Sequence, residues 1–252
     1  SSAIGLSGDE LQNRLKGKIG TTVKVTIYRP LADKRLTFTI ERDEIPLYSV
    51  NATYMLDDKT GYIEISRFAM STHQEFLNKL DTLREQGMER LVLDLRDNPG
   101  GVMQSAVRIG DEFLGKGMTI VRTKGRSSEM DTRYRGNDGG AFEQNPVIVL
   151  VNRRSASASE ILSGALQDHD RALIVGRRTF GKALVQKQFE LNDGSLLQMT
   201  VGRYYTPVGR LIQTPYEKGE RKAYYEEKTT SWRDAVYNVE KYKESIPDSL
   251  TY

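Results

Sequence analysis

The stretch that decides the fold reads Asn152-Arg153-Arg154-Ser155-Ala156-Ser157-Ala158-Ser159-Glu160 and, further on, Thr179-Phe180-Gly181-Lys182-Ala183-Leu184-Val185-Gln186. An apolar strand pattern at 147–151 precedes it, and an apolar run to about Asp168 predicts a helix between its two halves. A second strand pattern follows at 172–175. Three serines therefore stand at the mouth of a predicted helix, and a lysine stands in a glycine-bearing turn after the next strand.

The alternation of strands and helices continues outward from this stretch and predicts an α/β core. The polar, glycine-bearing residues 122–145 predict an exposed excursion, and 44–48 lead into the core without an element. The remaining predicted elements are strands at 61–65, 91–95, 118–121, 186–190, 196–200 and 203–205 and helices at 72–86 and 102–113.

The two ends of the chain differ from this core. Residues 1–43 predict a small β-rich module with a helix at Asp9–Leu15 and strands at Thr22–Tyr28 and Arg35–Ile40. These elements are too few for a core of their own, so the module either packs on the rest of the chain or is incomplete. Beyond residue 215 the chain is charged and tyrosine-rich, and a helix is predicted at Asp234–Glu244.

Composition excludes several kinds of function. The 252 residues carry a net charge of +3 without a cluster of basic and aromatic residues, which argues against nucleic acid as a partner. There is no cysteine, so thiol nucleophiles, disulfides and cysteine metal sites are excluded. No apolar run is long enough for an integral membrane segment. Ser1–Gly5 does not resemble a signal peptide, so an exported protein would have lost its signal.

The sequence contains two histidines, His73 and His169. With so few, a histidine triad or a multi-histidine metal site is a poor interpretation. His169 lies about 18 Å from Ser157 along the same predicted helix, at 1.5 Å per residue, and is expected to cap its far end. His73 begins another helix and is expected to be exposed. No metal or cofactor is expected.

The serine cluster has two interpretations. Ser157-Ala158-Ser159-Glu160 is a capping box, which satisfies backbone N–H groups at a helix start. The same geometry places a hydroxyl beside free N–H groups and the positive end of the helix dipole, where an oxyanion would be stabilised. The pattern alone does not separate Ser157 from Ser155 or Ser159 as a nucleophile.

Lys182 is the remaining candidate for a base. A lysine in water has a pKa near ~10.4, and burial in an apolar pocket lowers it by several units. The plainer interpretation is a lysine whose stem packs on apolar surface while its amine reaches water. Similarly, the turn Asn98–Gly101 is either an ordinary tight turn or a second source of N–H groups for an oxyanion.

Three ordered runs resemble the carboxy-terminal processing peptidases, also called tail-specific proteases. They are Leu93–Gly101, Ser155–Ile161 and Thr179–Lys182, the last followed by Gln186. Their order and separation make the resemblance specific over about residues 5–215. It implies a core like the ClpP/crotonase superfamily of ββα units over 44–215, the C-terminal part of a PDZ-like domain over 1–43, and an extension over 216–252.

The resemblance also implies roles for five residues. Ser157 is the expected nucleophile, Lys182 the general base and Gln186 the residue that orients the lysine, while the N–H groups of Gly101 and Ala158 form the oxyanion hole. Such peptidases cleave protein or peptide substrates near their C termini through an acyl-enzyme and without a cofactor. They are usually exported, to the bacterial periplasm or cell envelope among other places. A homo-oligomer is an open alternative.

Three rival interpretations remain. A catalytically silent relative would only bind apolar ligands or peptides. An acyl-CoA enzyme of the crotonase type would use glycine N–H pairs and would not need Ser157 or Lys182. A latent peptidase would hold Lys182 out of reach until a complete PDZ domain engages. The distance between the Ser157 hydroxyl and the Lys182 amine is the observation that bears most directly on them.

Overall fold

The computed structural model describes residues 3–30, 34–44 and 47–215, and the predicted helix at Asp234–Glu244 lies outside them. The chain divides into two compact units, Ser1–Leu47 and a second that begins at Tyr48. The second unit combines β-sheets with helices, so the predicted α/β class is confirmed. In the part of the chain described, no helix is long and apolar enough to cross a membrane.

The N-terminal unit is small and open. It contains α1 (Gly8–Leu15) and the antiparallel pair β1 (Thr22–Arg29) and β2 (Lys34–Glu41). A capping box begins α1, in which the Ser7 hydroxyl accepts the N–H of Glu10 at 3.3 Å. None of the described residues between 3 and 44 is buried, as expected for one helix and two strands.

The described residues of the second unit, 48–215, form two sheets and three α-helices. A five-stranded sheet has the order β3-β4-β5-β8-β9, antiparallel at β3 and parallel elsewhere, and a four-stranded antiparallel sheet has the order β10-β11-β6-β7. The elements are, in chain order, β3 (Val50–Met55), β4 (Thr60–Ile65), α2 (Thr72–Glu85), β5 (Arg90–Asp94), α3 (Met103–Asp111), β6 (Thr119–Gly125), β7 (Thr132–Arg135), β8 (Val147–Val151), α4 (Ala158–Asp168), β9 (Leu173–Gly176), β10 (Leu184–Glu190) and β11 (Leu196–Tyr205).

The helices bury different amounts of their surface. α2 presents one apolar stripe, Phe76, Leu80 and Leu83, to the core. In contrast, α4 is buried continuously from Ala158 to Leu166. A helix that is enclosed on all sides has little freedom to shift, so the residues at its N terminus are held firmly in place.

Two parts of the second unit differ from the sequence prediction. The predicted excursion at 122–145 contains the end of β6, a 3₁₀ turn at Ser128–Met130 and all of β7. These strands are mostly polar because one face is exposed, and the polar composition concealed them. β3 has no clear alternation of apolar residues and was also missed, since it is an edge strand.

Candidate active site

The ends of two parallel strands bring the two predicted turns together. β5 and β8 pair in register, with Asp94 beside Leu150, so their carboxyl ends lie at the same edge of the sheet. The turns that follow are joined directly: Asp97 N–H donates to Asn152 Oδ1 at 3.0 Å, and Asn152 Nδ2 donates to Asp97 Oδ1 at 3.1 Å. The segment 98–101 therefore lies next to the serine cluster.

The structure separates the three serines that the sequence pattern left equivalent. Ser155 and Ser159 are fully buried, and their hydroxyls donate to the carbonyls of Leu95 at 2.7 Å and Asn98 at 3.0 Å. Ser157 is half-buried, and its hydroxyl makes no cap hydrogen bond. Ser155 and Ser159 thus join the two turns, while the hydroxyl of Ser157 is accessible for chemistry.

Ser157 stands immediately before α4 in an unusual backbone conformation, with φ 55° and ψ −110°. It is arranged with Glu160 as the predicted capping box, but only the carboxylate half meets hydrogen-bond geometry. In that half, Ser157 N–H donates to Glu160 Oε2 at 2.7 Å. The positive φ of Ser157 therefore differs from the extended backbone conformation of an ordinary N-cap residue.

The buried carboxylate of Glu160 links Ser157 to Lys182. Glu160 Oε2 accepts the N–H groups of Ser157 and Lys182, the latter at 2.9 Å. Its Oε1 accepts the Thr179 hydroxyl at 2.7 Å and the Gly181 N–H at 2.5 Å. Burial raises the pKa of Glu160, while the hydrogen bonds from Lys182, Thr179 and Gly181 act in the opposite direction. One side chain therefore fixes the backbone at both predicted catalytic positions.

Lys182 lies just before β10, and its amine points along that strand. Lys182 Nζ donates to Gln186 Oε1 at 3.0 Å, and the same oxygen accepts Gln198 Nε2 at 3.1 Å. In the described part of the chain no hydrogen bond joins Lys182 Nζ to Ser157 Oγ. The structure brings the two backbones together but does not place the two functional atoms in hydrogen-bond contact.

Tyr204 holds the same two segments from the other side. Its hydroxyl donates to the carbonyl of Ser157 at 3.0 Å and also contacts the carbonyl of Lys182. Burial, together with the charge of Glu160, raises the pKa of Tyr204, so the hydroxyl remains a donor. Sequence reasoning missed this residue, because a tyrosine in a strand pattern carries no signal for a long-range contact.

Glycine is required where the Asn98–Gly101 turn meets the serine cluster. The carbonyl of Asn98 accepts the N–H of Ala156 at 3.0 Å. A Cβ atom added to Gly100 would lie only 2.6 Å from the carbonyl oxygen of Ala156 and 2.8 Å from the nitrogen of Ala158. A side chain at this position would separate the turn from the start of α4, so the close approach depends on glycine.

Gly101 is positioned by a short β-bridge with Phe68. Phe68 N–H donates to the Gly100 carbonyl at 2.9 Å, and Val102 N–H donates to the Phe68 carbonyl at 2.8 Å. Among the described residues the N–H groups of Gly101 and Ala158 have no hydrogen-bond partner. Both N–H groups of the predicted oxyanion hole are therefore unpaired, although Ala158 itself is only 1% exposed.

A charged network around the buried carboxylate of Asp94 lies at the end of β5. Asp94 is 2% exposed and accepts the Tyr62 hydroxyl at 2.7 Å and Arg96 Nε at 2.8 Å, both on Oδ2. Burial raises the pKa of Asp94, but the hydrogen bonds from Arg96 and Tyr62 outweigh it and lower the pKa overall. The network fixes the start of the turn that leads to Gly101, and sequence reasoning did not identify it.

The histidines lie outside this site. His73 was expected to be exposed, but the structure corrects this: its side chain is 20% exposed and bonds Glu112 Oε1 at 2.7 Å. The partly buried carboxylate of Glu112, the residue that follows α3, holds the ring in this position. His169 follows the last residue of α4, at the far end from Ser157 as predicted, and bonds the carbonyl of Thr119 at 2.7 Å.

The site thus combines an α/β fold, a half-buried serine at the start of a helix and a lysine whose backbone is joined to that serine through Glu160. The chain belongs to Peptidase family S41, whose sequence profile matches residues 59–218. It is 42% identical over 210 residues to the carboxyl-terminal-processing protease of Picosynechococcus sp., covering 81% of this chain and 49% of that protein. The family and the named relatives are thus peptidases, and this chain shares their sequence over most of its length.

Other comparisons agree with this assignment. The carboxy-terminal-processing protease of Bartonella bacilliformis is 38% identical over 213 residues, covering 83% of this chain and 48% of that protein. The photosystem II D1 C-terminal processing protease superposes with a TM-score of 0.58 at 31% identity, over 83% of this chain and 57% of that one. The chain spans about half the length of the curated relatives it matches.

The fold extends to more distant proteins. A lipoprotein from Streptococcus agalactiae superposes with a TM-score of 0.51 at 18% identity, over 63% of this chain and 60% of that one. At that identity the likeness concerns the fold alone.

Proposed function

We propose that the chain is a serine endopeptidase that cleaves protein substrates near their C termini, with Ser157 as nucleophile and Lys182 as general base. The observation that supports this most strongly is the shared carboxylate oxygen of Glu160, which accepts the N–H groups of both residues. Of the three serines, only Ser157 has a hydroxyl that is neither fully buried nor used to join the turns.

The proposed reaction begins at the Ser157 hydroxyl. Unprotonated Lys182 Nζ takes the proton while Ser157 Oγ bonds to the scissile carbonyl carbon, and the N–H groups of Gly101 and Ala158 stabilise the oxyanion. Collapse breaks the C–N bond, and Lys182 returns the proton to the leaving amine. A water molecule then attacks the acyl-enzyme, its proton passes to Lys182, and the acid is released as Ser157 Oγ regains a proton.

In the state before attack, Lys182 is hydrogen-bonded to Gln186 rather than to Ser157. Gln186 is proposed to orient the lysine, since Gln186 Oε1 accepts from Nζ at 3.0 Å. Attack requires Nζ to come within hydrogen-bond distance of Ser157 Oγ, so the lysine side chain has to move from its present position. The same observation favours the second candidate, a latent peptidase that becomes active only when substrate or a complete PDZ domain engages.

Labelling with a fluorophosphonate tests the nucleophile directly. The unchanged chain should gain one covalent adduct, detected by intact mass, and Ser157→Ala should gain none and lose cleavage of a peptide substrate. Ser155→Ala and Ser159→Ala are matched controls that should still be labelled, although less stable. Cleavage by Ser157→Ala would refute the proposal. Labelling that appears only after a peptide is added would identify the latent form.

The broader assignment follows from the resemblance to carboxy-terminal processing peptidases. We propose that residues 1–43 are the end of a PDZ-like domain, that 44–215 form a core of the ClpP/crotonase kind, and that 216–252 are an extension. The substrate's C-terminal region would bind in extended form, adding to a strand edge. The same resemblance supports export to the periplasm or cell envelope, and homo-oligomer formation can be measured by light scattering.

A further inference from the structure

The register of the four-stranded sheet gathers basic side chains on one face. Residues directly opposite each other in an antiparallel pair share a face. Arg122 of β6 lies opposite Arg133 of β7 and, on its other side, opposite Tyr205 of β11. Lys124, two residues after Arg122 and therefore on the same face, lies opposite Arg203 of β11. Four cations and one aromatic ring are thus neighbours.

All of these side chains except Arg203 border a concavity of about 520 Å³ that we call the basic groove. It is lined in part by Arg122, Lys124, Arg133 and Tyr205, with Asp131 as the acidic residue among its lining. The carboxylate of Asp131 accepts the N–H of Gly125 at 3.2 Å. One carboxylate faces three lining cations, so the groove carries a net positive charge.

The cations of the basic groove are not paired. Arg122, Lys124, Arg133 and Arg203 are all exposed, and within the described residues none of them forms an ion pair. Several other basic side chains of the second unit have acidic partners, as Arg96 has in Asp94. Like charges placed directly opposite each other destabilise a sheet. The pairing of Arg122 with Arg133 therefore does not serve the fold.

The basic groove lies close to the candidate active site, on the other face of the sheet. Tyr204 points toward the site, where its hydroxyl bonds the carbonyl of Ser157. The next residue, Tyr205, points into the groove, because successive side chains of a strand alternate between faces. An extended chain covers ~3.3 Å per residue. A substrate must pass an edge of the sheet, so residues next to the scissile bond cannot reach the groove.

We propose that the basic groove is an exosite that binds an acidic segment of the polypeptide substrate, several residues away from the bond that is cleaved. A concave site with clustered, unpaired cations fits carboxylates on a chain that enters it. A membrane surface would require a protruding face, and single-stranded nucleic acid would require several aromatic rings rather than one. The inference rests on the proposed peptidase function only in identifying the ligand as a substrate.

Binding can be tested without catalysis. The full chain carrying Ser157→Ala is titrated with a fluorescent peptide that contains a run of glutamates, and with the same peptide in which glutamine replaces each glutamate. The glutamate peptide should bind at least ~5-fold more tightly, and raising the salt concentration from 50 to 300 mM should remove most of the difference.

Variants locate the binding surface. Arg122→Gln and Arg133→Gln should each weaken binding of the glutamate peptide ~3- to 5-fold and leave binding of the glutamine peptide unchanged. Lys79→Gln, an exposed lysine on α2, is the matched control for net charge and should change neither. Removing one of the two opposed arginines should also raise the melting temperature, which loss of a purely structural residue would not do.

Cleavage provides a separate readout. With an active chain and a substrate whose acidic segment lies remote from the cleaved bond, Arg133→Gln should raise KM and leave kcat unchanged. If the unchanged chain cleaves no substrate but the Ser157→Ala chain still binds the glutamate peptide selectively, the peptidase proposal fails. The groove then remains a site for acidic peptides. If both peptides bind equally, if Lys79→Gln weakens binding as much, or if anionic vesicles or polyuridylate bind more tightly than the peptide, the exosite is refuted.

Discussion

Ser157 occupies a backbone conformation that serine rarely adopts, and its neighbours hold it there. With φ 55° and ψ −110° it lies outside the regions favoured by side-chain-bearing residues. Such conformations cost ~1–3 kcal/mol each and persist only where surrounding contacts impose them. Here the contacts are the bond from Ser157 N–H to Glu160 and the bond from Tyr204 to the Ser157 carbonyl.

This strain predicts the effect of glycine at the position. The free energy of unfolding of Ser157→Gly should be about 1 kcal/mol larger than that of Ser157→Ala. Relief of backbone strain in the folded state should exceed the extra chain entropy of glycine in the unfolded state. Urea denaturation of the two inactive variants measures the difference. Equal stabilities would show that the conformation is not strained.

Glu160 should be needed for both stability and activity. In Glu160→Gln, the amide NH₂ must face at least one backbone N–H, that of Gly181 or those of Ser157 and Lys182, so a buried donor loses its acceptor. The free energy of unfolding should fall by ~1–3 kcal/mol, and peptide cleavage should fall strongly. Urea denaturation and an activity assay measure the two effects.

Thr179→Val is the control for this variant. It removes only the bond from the Thr179 hydroxyl to Glu160 Oε1 and leaves the oxygen that joins Ser157 to Lys182. A smaller loss of stability, about 1 kcal/mol, with most activity retained is expected. Equal losses of activity in both variants would contradict the linking role of Glu160.

At the residue scale the sequence was informative about residue type and less so about environment. The exclusion of His169 followed from helix geometry, and its position at the far end of α4 agrees. The pattern could not separate Ser157 from Ser155 and Ser159, because only the neighbouring turn of β5 supplies the carbonyls that engage the latter two. That information lies about 60 residues away along the chain.

Among the elements, the parallel pair β5 and β8 does most to build the site. Its carboxyl ends lead to the turn with Gly101 and to the turn with Ser157. The Tyr62–Asp94–Arg96 network fixes the end of β5, since Tyr62 reaches Asp94 from β4. A strand end that is tied to its neighbour holds the following turn in one conformation.

The same network predicts a pH dependence of stability. In the folded chain the pKa of Asp94 lies below its ordinary value of 3.8. Ionised Asp94 therefore contributes stability that is present above the ordinary value and is lost as the pH falls through the lower, folded-state pKa. Asp94→Asn should be clearly less stable than the unchanged chain at pH 7, and the gap should narrow near pH 3.

Urea midpoints at the two pH values provide the measurement. Asp81→Asn, which alters an exposed carboxylate on α2, is the control and should change little at either pH. A gap between Asp94→Asn and the unchanged chain that stays constant from pH 7 to pH 3 would mean that Asp94 does not gain its stability from ionisation.

Element prediction succeeded where apolar periodicity was strong and failed where one face of a strand was polar. α2 and α4 ended within a few residues of their predicted limits. β7 was hidden in a polar segment, and β11 was predicted as two pieces although it runs unbroken from Leu196 to Tyr205. In both cases the partner strand, not the local sequence, determines the structure.

The two units of the molecule differ in how much they bury. No described residue between 3 and 44 is buried, whereas Leu93 and Val149, on the central strands of the second unit, are completely buried. Local stability follows burial and enclosed hydrogen bonds. The alternating apolar residues predicted the two strands of the N-terminal unit, but not how exposed these strands are.

Hydrogen exchange should reveal this difference. Amides of β1 and β2 should exchange orders of magnitude faster than those of β5 and β8, which open only with the whole second unit. Exchange followed by mass spectrometry of peptides from 22–41 and from 90–94 and 147–151 measures it. Equal protection of the two sets would contradict the difference in local stability inferred from burial.

Ser157 follows a strand of one sheet, and Lys182 precedes a strand of the other. Neither sheet alone carries both halves of the proposed chemistry, and Glu160 and Tyr204 join them only when both sheets exist. Under the proposed mechanism, a chain in which either sheet is unformed would lack one member of the Ser157–Lys182 pair. Such a chain, during synthesis or after partial unfolding, should therefore not cleave the proteins around it.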